Sequence, residues 1–246
     1  MPPNIVGHGA DEKVDETGFD VFIAACVNGD QKEAARLAGL YKITTKVMCT
    51  LKNHIFDIIC RDAKLMEIIW VADRFKLDAD NCKLSTIHGL RYNCALGRLK
   101  AVQFLVERFA ITAEEVRDDD NWMLRHACFE NHLHVAEWLA TRFDLDTDDI
   151  RALRNFALRW ACTRGNLPTA KWIYSFFRLT PDDARDDTNF ALRYSCHRGR
   201  LASVQWLLSE CKLIVADLHT REDEALRWAK SHPVVATWLA EYMASH

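Results

Sequence analysis

The chain has 246 residues, of which 49% are hydrophobic and 27% charged, so it can bury the core of one or two domains or of one long repeat array. Its formal net charge of -3 argues against a general nucleic-acid binder, because such proteins carry a basic excess. Runs of about 18 apolar residues, typical of membrane spans, do not occur, and the N-terminal sequence lacks the basic and apolar regions of a secretory signal.

Residues 1–18 are expected to be a disordered N-terminal tail, and residues 19–246 a single repeat array. The array is indicated by six cysteines spaced 34 residues apart, a regularity that neither a disulfide framework nor a zinc site produces. These are Cys26, Cys60, Cys94, Cys128, Cys162 and Cys196. About seven repeats follow, starting near 19, 53, 87, 121, 155, 189 and 223. The first two match most weakly and the last is two residues short, as expected for terminal repeats that face water.

Each repeat is predicted to hold two antiparallel helices separated by a glycine step, as at Gly165 and Gly199. Apolar residues recur at intervals of three and four on both sides of this step, which is typical of amphipathic helices. The pattern predicts helices near 155–163 and 167–177, and again near 189–197 and 201–210.

The connector that follows each helix pair carries helix-start signals. Thr112 and Glu115 form a capping-box pattern, and Pro181 stands at the first helical position after Thr180. Acidic pairs come next, where the helix dipole favours negative charge. We therefore predict short helical turns near 113–118, 147–152 and 181–186 in place of β-hairpins.

The repeat L-R-W-A-C-x-x-G-x-L-x-x-A-K-W-L resembles the ankyrin-repeat core, T-P-L-H-x-A-A-x-x-G-H-x-x-V-V-x-x-L-L. It is most similar to the divergent, tryptophan-rich ankyrin repeats of large DNA viruses and some protists. The resemblance covers residues 19–246, strongly from Ile87 onward, and implies an all-α helical solenoid in the cytoplasm, that of the host if the protein is viral. The chain departs from the family in its missing T-P-L-H turn, its 34-residue period and its helical connectors. Tetratricopeptide repeats share the period but need a longer first helix.

The sequence predicts no cofactor, no metal and no catalytic residue. Equivalent cysteines of stacked repeats lie ~8–10 Å apart, too far for a disulfide, so the column is expected to be buried, reduced core. His132 and His134, with Cys128 nearby, have no second pair of metal ligands and fall where ankyrin repeats carry a turn histidine.

Two basic columns run through the repeats, and each has two interpretations. They can form a phosphate-binding stripe, or they can pair with acidic residues and helix ends of neighbouring repeats, which we favour because an arginine present in every repeat distinguishes no position. The columns are Arg91, Arg125, Arg159, Arg193 and Arg227, and Lys83, Arg117, Arg151 and Arg185; the acidic residues are Glu114, Glu115, Asp148, Asp149, Asp182 and Asp183.

A tryptophan column lies on the second helices, with Phe104 as a substitute. Its position on the apolar face predicts core packing between repeats and not an exposed base-stacking platform. Its members are Trp70, Trp138, Trp172, Trp206 and Trp238.

The ankyrin resemblance assigns the residues just before the turn glycine to a concave, partner-binding face. These positions differ from repeat to repeat, which fits either a surface matched to one partner or free drift of solvated residues. Residues 155–212 are the basic part of the chain, so an acidic peptide is the expected ligand. The predicted contact residues are Leu96, Phe129, Glu130, Thr163, Arg164, His197, Arg198 and Arg200.

Three function classes remain at this point. The first is a non-catalytic scaffold that binds a protein partner, with no nucleic acid and no membrane involved. The second is a structural or self-associating repeat protein in which the shortened last repeat packs against its own copy. The third, an enzyme, is disfavoured because no phosphate loop, nucleophile elbow or zinc-protease motif occurs in the sequence. The chain is expected to be a monomer or a homodimer.

Overall fold

The computed structural model describes residues 18–50 and 54–246, and throughout these residues the chain is helical without a strand. The predicted all-α repeat fold is thereby confirmed. The predicted tail lies outside the described residues except for Gly18. The chain divides into two compact units, Met1–Gly89 and Leu90–His246, and the single array over 19–246 stays a prediction.

The first unit contains two helix pairs and the short helix that connects them. Asp30 caps the second helix by accepting from the Glu33 amide at 2.9 Å, and Thr44 caps the short third helix. A positive φ of 76° at Gly29 forms the turn between the first pair. The helices are α1 (Phe19–Val27), α2 (Gln31–Leu40), α3 (Thr45–Met48), α4 (Ile55–Asp62), α5 (Leu65–Arg74) and the beginning of α6 (Ala79–Ala95).

The second unit repeats this plan of helix pair and connector. The two predicted helix pairs are confirmed, although their first helices are assigned from earlier residues, and the glycine steps have φ of +80° at Gly165 and +66° at Gly199. The helices after α6 are α7 (Leu99–Arg108), α8 (Ala113–Phe129), α9 (Leu133–Arg142), α10 (Thr147–Ile150), α11 (Ala152–Arg164), α12 (Leu167–Phe176), α13 (Pro181–His197), α14 (Leu201–Ser209), α15 (Val215–Leu218), α16 (Thr220–Ala229) and α17 (Pro233–Ser245).

The connectors begin as the predicted helical turns. Thr112 and Glu115 form a reciprocal capping box, and Thr180 with Asp183 forms another, with Pro181 opening the helix. The prediction fails at the last residue of two of the turns, because Asp118 and Asp186 already have extended backbone, with ψ near 150°.

Three consecutive left-handed residues then lead into the first helix of the next repeat, a feature that the sequence analysis did not predict. One turn of left-handed backbone costs roughly 1–2 kcal/mol per residue, so neighbouring groups must stabilise it. The triplets are Asp119–Asn121, Leu153–Asn155, Asp187–Asn189 and Arg221–Asp223.

Arginines of the first basic column stabilise three of these four left-handed triplets. Arg193 donates from Nε to the carbonyl oxygen of Thr188 at 2.7 Å and from Nη2 to that of Asp187 at 3.1 Å. Arg159 reaches the carbonyl of Leu153 at 2.8 Å in the same way. The guanidinium of Arg125, Arg159 or Arg193 satisfies carbonyls that the turn leaves unpaired, which supports the structural interpretation for these three members of the column.

The second basic column pairs with the second acid of the following connector. Arg151 donates to both carboxylate oxygens of Asp183, at 2.7 and 3.0 Å, and the same carboxylate accepts from the amide and hydroxyl of Thr180. Burial opposes ionisation of Asp183, but these hydrogen bonds outweigh it and lower its pKa from 3.8 to about 2. The pair recurs as Arg117 with Asp149 and Arg185 with Asp217.

All six cysteines of the 34-residue column are buried and take no part in a disulfide, as predicted. Burial raises the pKa of Cys196 to about 12, so the thiol stays protonated and unreactive at neutral pH. Two cysteines outside the column, Cys49 and Cys82, form a disulfide with their Cα atoms 4.8 Å apart, which the sequence did not predict. The two cysteines are 33 residues apart in the sequence, and their disulfide joins the end of α3 to α6.

The tryptophan column belongs only partly to the core, so the prediction that it is buried between repeats is wrong for most of its members. Trp206 is 4% exposed and packs edge-on against Tyr174 with ring centroids 5.5 Å apart. Trp172 is half-buried and contacts Phe176 and Phe177 of its own repeat. Trp70, Trp138 and Trp238 are half-buried as well.

Candidate functional site

An aromatic surface runs along the first helices of the second unit. We call it the first-helix face. Its residues are half-buried, except for the exposed His197, so apolar ring edges remain accessible to a partner. The face consists of Trp122, His126, Phe129, Phe156, Trp160, Phe190, Tyr194, His197 and Trp228.

The rings contact one another without a break from one repeat to the next. Phe129 meets Trp160 edge-on at 5.5 Å between centroids, and Trp160 lies 5.7 Å from Phe190. Phe190 stacks on Tyr194 at 4.0 Å, and Tyr194 then contacts Trp228 at 5.1 Å. Aromatic pairs at such distances stabilise each other beyond the area that they bury, so the surface is held in a fixed shape.

Buried arginines support the rings from behind. The Arg159 guanidinium lies 4.6 Å from the Phe190 ring centroid, and that of Arg125 lies 5.2 Å from Phe156. At the other end of the face, His126 stacks on Trp122 at 3.7 Å, and burial lowers the pKa of His126. The imidazole is therefore neutral at physiological pH and acts as one more aromatic ring of the face.

A hollow of about 520 Å³ opens on this face between the repeats that start near 121, 155 and 189. We call it the basic hollow. Trp160 and Phe129 form its apolar wall, and three arginines supply its charge. Its lining residues are Phe129, Trp160, Thr163, Arg164, Asn166, Arg198 and Arg200.

The three arginines differ in how they are held. The Arg164 guanidinium lies 4.1 Å from the Phe129 centroid and 3.6 Å from a carboxylate oxygen of Glu130, so it is fixed in place. Arg200 passes over Gly165, where a Cβ would stand 3.0 Å from its Cδ. Arg198 and Arg200 are exposed, and their positive charge faces the hollow.

The structure brings most of the predicted contact residues together. Phe129, Thr163, Arg164, Arg198 and Arg200 all line the basic hollow, and Glu130 adjoins it through Arg164. His197 lies further along the first-helix face against Trp228, at 4.8 Å between centroids. Leu96 is 47% exposed and does not line the hollow.

Thr163 is a correction to the predicted set. Its side chain is buried, and its hydroxyl donates to the carbonyl oxygen of Arg159 at 2.9 Å. The sequence does not show whether a small residue on a helix faces the core or the solvent. Its position before the glycine step therefore did not make it available to a partner.

Sequence reasoning missed the aromatic surface itself, because it followed the tryptophans of the second helices. A column of rings spaced by 34 residues runs through the first helices of the last five repeats, and it was available as the signal. That column is Tyr92, His126, Trp160, Tyr194 and Trp228.

Within residues 18–50 and 54–246, no group of three or more histidine, cysteine or acidic side chains is arranged to hold a metal ion. His134 instead contacts the carbonyl oxygen of Gly97 at 2.9 Å through Nε2, and the ring of His132 fills the space above the same glycine. In the same part of the chain, every helix is too short or too polar to cross a bilayer.

The sequence of this region can be compared with known protein families. Residues 158–208 match the family model for ankyrin repeats (many copies). The matched ankyrin segment runs from the end of α11 to α14 and contains Trp160, Arg164, Arg198 and Arg200 of the basic hollow. Over this segment the chain is similar to ankyrin repeats. A comparison with curated proteins found no match.

Proposed function

We propose that this chain is a non-catalytic scaffold that binds a protein partner on the first-helix face of its second unit. Ankyrin repeats generally mediate protein–protein interaction, and the matched ankyrin segment contributes four of the nine residues of this face. The observation that carries the proposal is the unbroken row of half-buried rings from Trp122 to Trp228. Rings that are fixed in position and only partly covered give large contact area at low entropic cost.

The protonation of the column cysteines supports a non-catalytic role. Burial raises the pKa of the column cysteines, as for Cys26 and Cys196, each to about 12. A catalytic thiol needs the opposite shift, because its reactive form is the thiolate. The viral or protist affinity of the repeats and a cytoplasmic location remain proposals that rest on the sequence resemblance.

A photo-crosslinking experiment in the native cell tests the position of the partner. We would place p-benzoylphenylalanine at Tyr194, on the first-helix face, and in a matched variant at Phe176, which is 45% exposed on a second helix. Adducts of a defined mass at position 194 and none at 176 are expected. Adducts confined to 176 would contradict binding on the first-helix face.

A second candidate function is self-association through the last repeat. An apolar hollow of about 410 Å³ there is lined by Leu201, Pro233, Val234, Thr237, Trp238 and Glu241, and Val234 is 68% exposed. Accessible apolar surface of this kind often marks an interface. Light scattering after size exclusion would report a dimer that Val234→Asp dissociates; a monomeric wild type would contradict this function.

A further inference from the structure

The basic hollow carries cations that the described residues leave unneutralised. Neither Arg198 nor Arg200 lies within ion-pair distance of a carboxylate in residues 18–50 and 54–246, whereas Arg151 and Arg185 are paired with aspartates. Like charges placed together at a surface repel each other and gain energy when an anion joins them. The unpaired arginines are thus free to bind an external anion.

The apolar wall of the hollow restricts the kind of anion that can bind there. Trp160 is half-buried among Phe129, Phe156 and Phe190, with centroid distances of 5.5 to 6.0 Å. An ion pair formed beside such a wall is screened less by water than one in free solution. The volume of about 520 Å³ exceeds that of one carboxylate side chain, which leaves room for an apolar neighbour.

The arrangement of charge disfavours a nucleic-acid backbone. Phosphates repeat regularly along a strand and need cations that repeat with them. At the positions equivalent to Arg164 and Arg198, the two preceding repeats carry Leu96 and Glu130, and Glu130 lies at the edge of the hollow. The cations therefore occupy one place and do not form a track.

We infer that the basic hollow binds an aspartate or glutamate side chain of a linear segment of the partner, through Arg198 and Arg200, with an apolar residue beside it against Trp160. The inference rests on the proposed function and adds the chemistry of the bound segment. Guanidinium groups pair with carboxylates in a planar, bidentate geometry, which Arg198 and Arg200 can each offer.

The test begins with a phage library of random twelve-residue peptides selected on the full chain. Selected peptides are expected to contain an acidic residue next to an aromatic or aliphatic one. Fluorescein-labelled synthetic copies are then titrated by anisotropy with wild type and with Arg198→Gln/Arg200→Gln, for which a loss of about tenfold to a hundredfold is expected. A matched control, Arg142→Gln/Arg178→Gln, removes the same charge from exposed positions outside the hollow and should bind within about twofold of wild type.

A thermodynamic cycle separates contact with the hollow from general electrostatics. Replacing the acidic residue of the peptide by its amide should cost as much as the arginine changes, and combining both should cost little more. Equal effects of the hollow and control variants would overturn the inference. A labelled twelve-residue oligothymidylate serves as the third probe; if it binds tightly and loses affinity with Arg198→Gln/Arg200→Gln, the hollow is a nucleic-acid site and the inference is overturned.

The outcomes distinguish the inference from the proposed function. Peptides that bind wild type, lose affinity with Trp160→Leu and ignore the arginine changes would overturn the inference and leave the first-helix face as the binding site. Peptides that ignore both Trp160→Leu and the arginine changes would overturn both. If the library yields no peptide that binds the chain, both the inference and the binding of a linear segment on the first-helix face are overturned. Melting curves of each variant show whether a loss of affinity comes from unfolding.

Discussion

Replacing Arg193 by methionine should destabilise the chain more than any surface arginine change. Arg193 is 1% exposed, and its guanidinium donates to the carbonyl oxygens of Asp187 and Thr188 and to the carboxylate of Glu224. Methionine keeps much of the buried volume but leaves two carbonyls and one carboxylate without their donor. Removing one partner of a buried ion pair costs about 3–5 kcal/mol, and we expect a loss in this range.

The assay is urea unfolding followed by far-ultraviolet circular dichroism, with the slope m compared between variants. Arg154→Met is the matched control, because Arg154 also pairs with Asp187 at 3.2 Å but its side chain is 72% exposed, so it should cost below about 1 kcal/mol. Adding Glu224→Gln to Arg193→Met should recover part of the loss. If Arg193→Met lies within about 1 kcal/mol of wild type, or the control costs as much, the arginine does not stabilise the left-handed triplet.

Three other results are expected. The pKa of Asp183 is lowered from 3.8 to about 2 in the folded chain, so its contribution to the free energy of unfolding is present above pH 3.8 and is lost as the pH falls toward 2. Asp183→Asn should therefore reduce the loss of stability at acid pH by about 1–2 kcal/mol. An unchanged acid limb in a plot of stability against pH would contradict the ion pair. Trp206→Ala should cost about 3–5 kcal/mol in urea unfolding and Trp172→Ala only about half as much, since Trp172 is half-buried; equal losses would contradict the burial difference. Cys128 and Cys162 should resist a thiol reagent in the native chain and react once it is unfolded, because burial raises the pKa of both thiols; rapid native labelling would show that the core is open.

Sequence reasoning identified only part of the candidate site. The glycine step and the basic stretch identified Arg164, Arg198 and Arg200, and the structure brings all three to one hollow. The wall of that hollow was missed, because Trp160 lies on the first helix and the sequence analysis assigned aromatic packing to the second. Whether a ring on an amphipathic helix is covered depends on the neighbouring repeat, which periodicity within one repeat does not reveal.

The sequence by itself determined the helical class, the 34-residue unit, the helix pairs and the capped connectors. Each of these depends on residues close together in the chain: a cap such as Thr112 with Glu115, a glycine step, or apolar spacing at three and four residues. Only the tertiary structure decided that the connectors end in left-handed triplets, that the arginine column clamps them, that Cys49 meets Cys82, and that Trp172 stays half-buried. The disulfide joins residues about one repeat apart, and the triplets, with the arginines that hold them, depend on backbone that is unfavourable by itself. Neighbouring groups stabilise them, and local propensity therefore does not encode them.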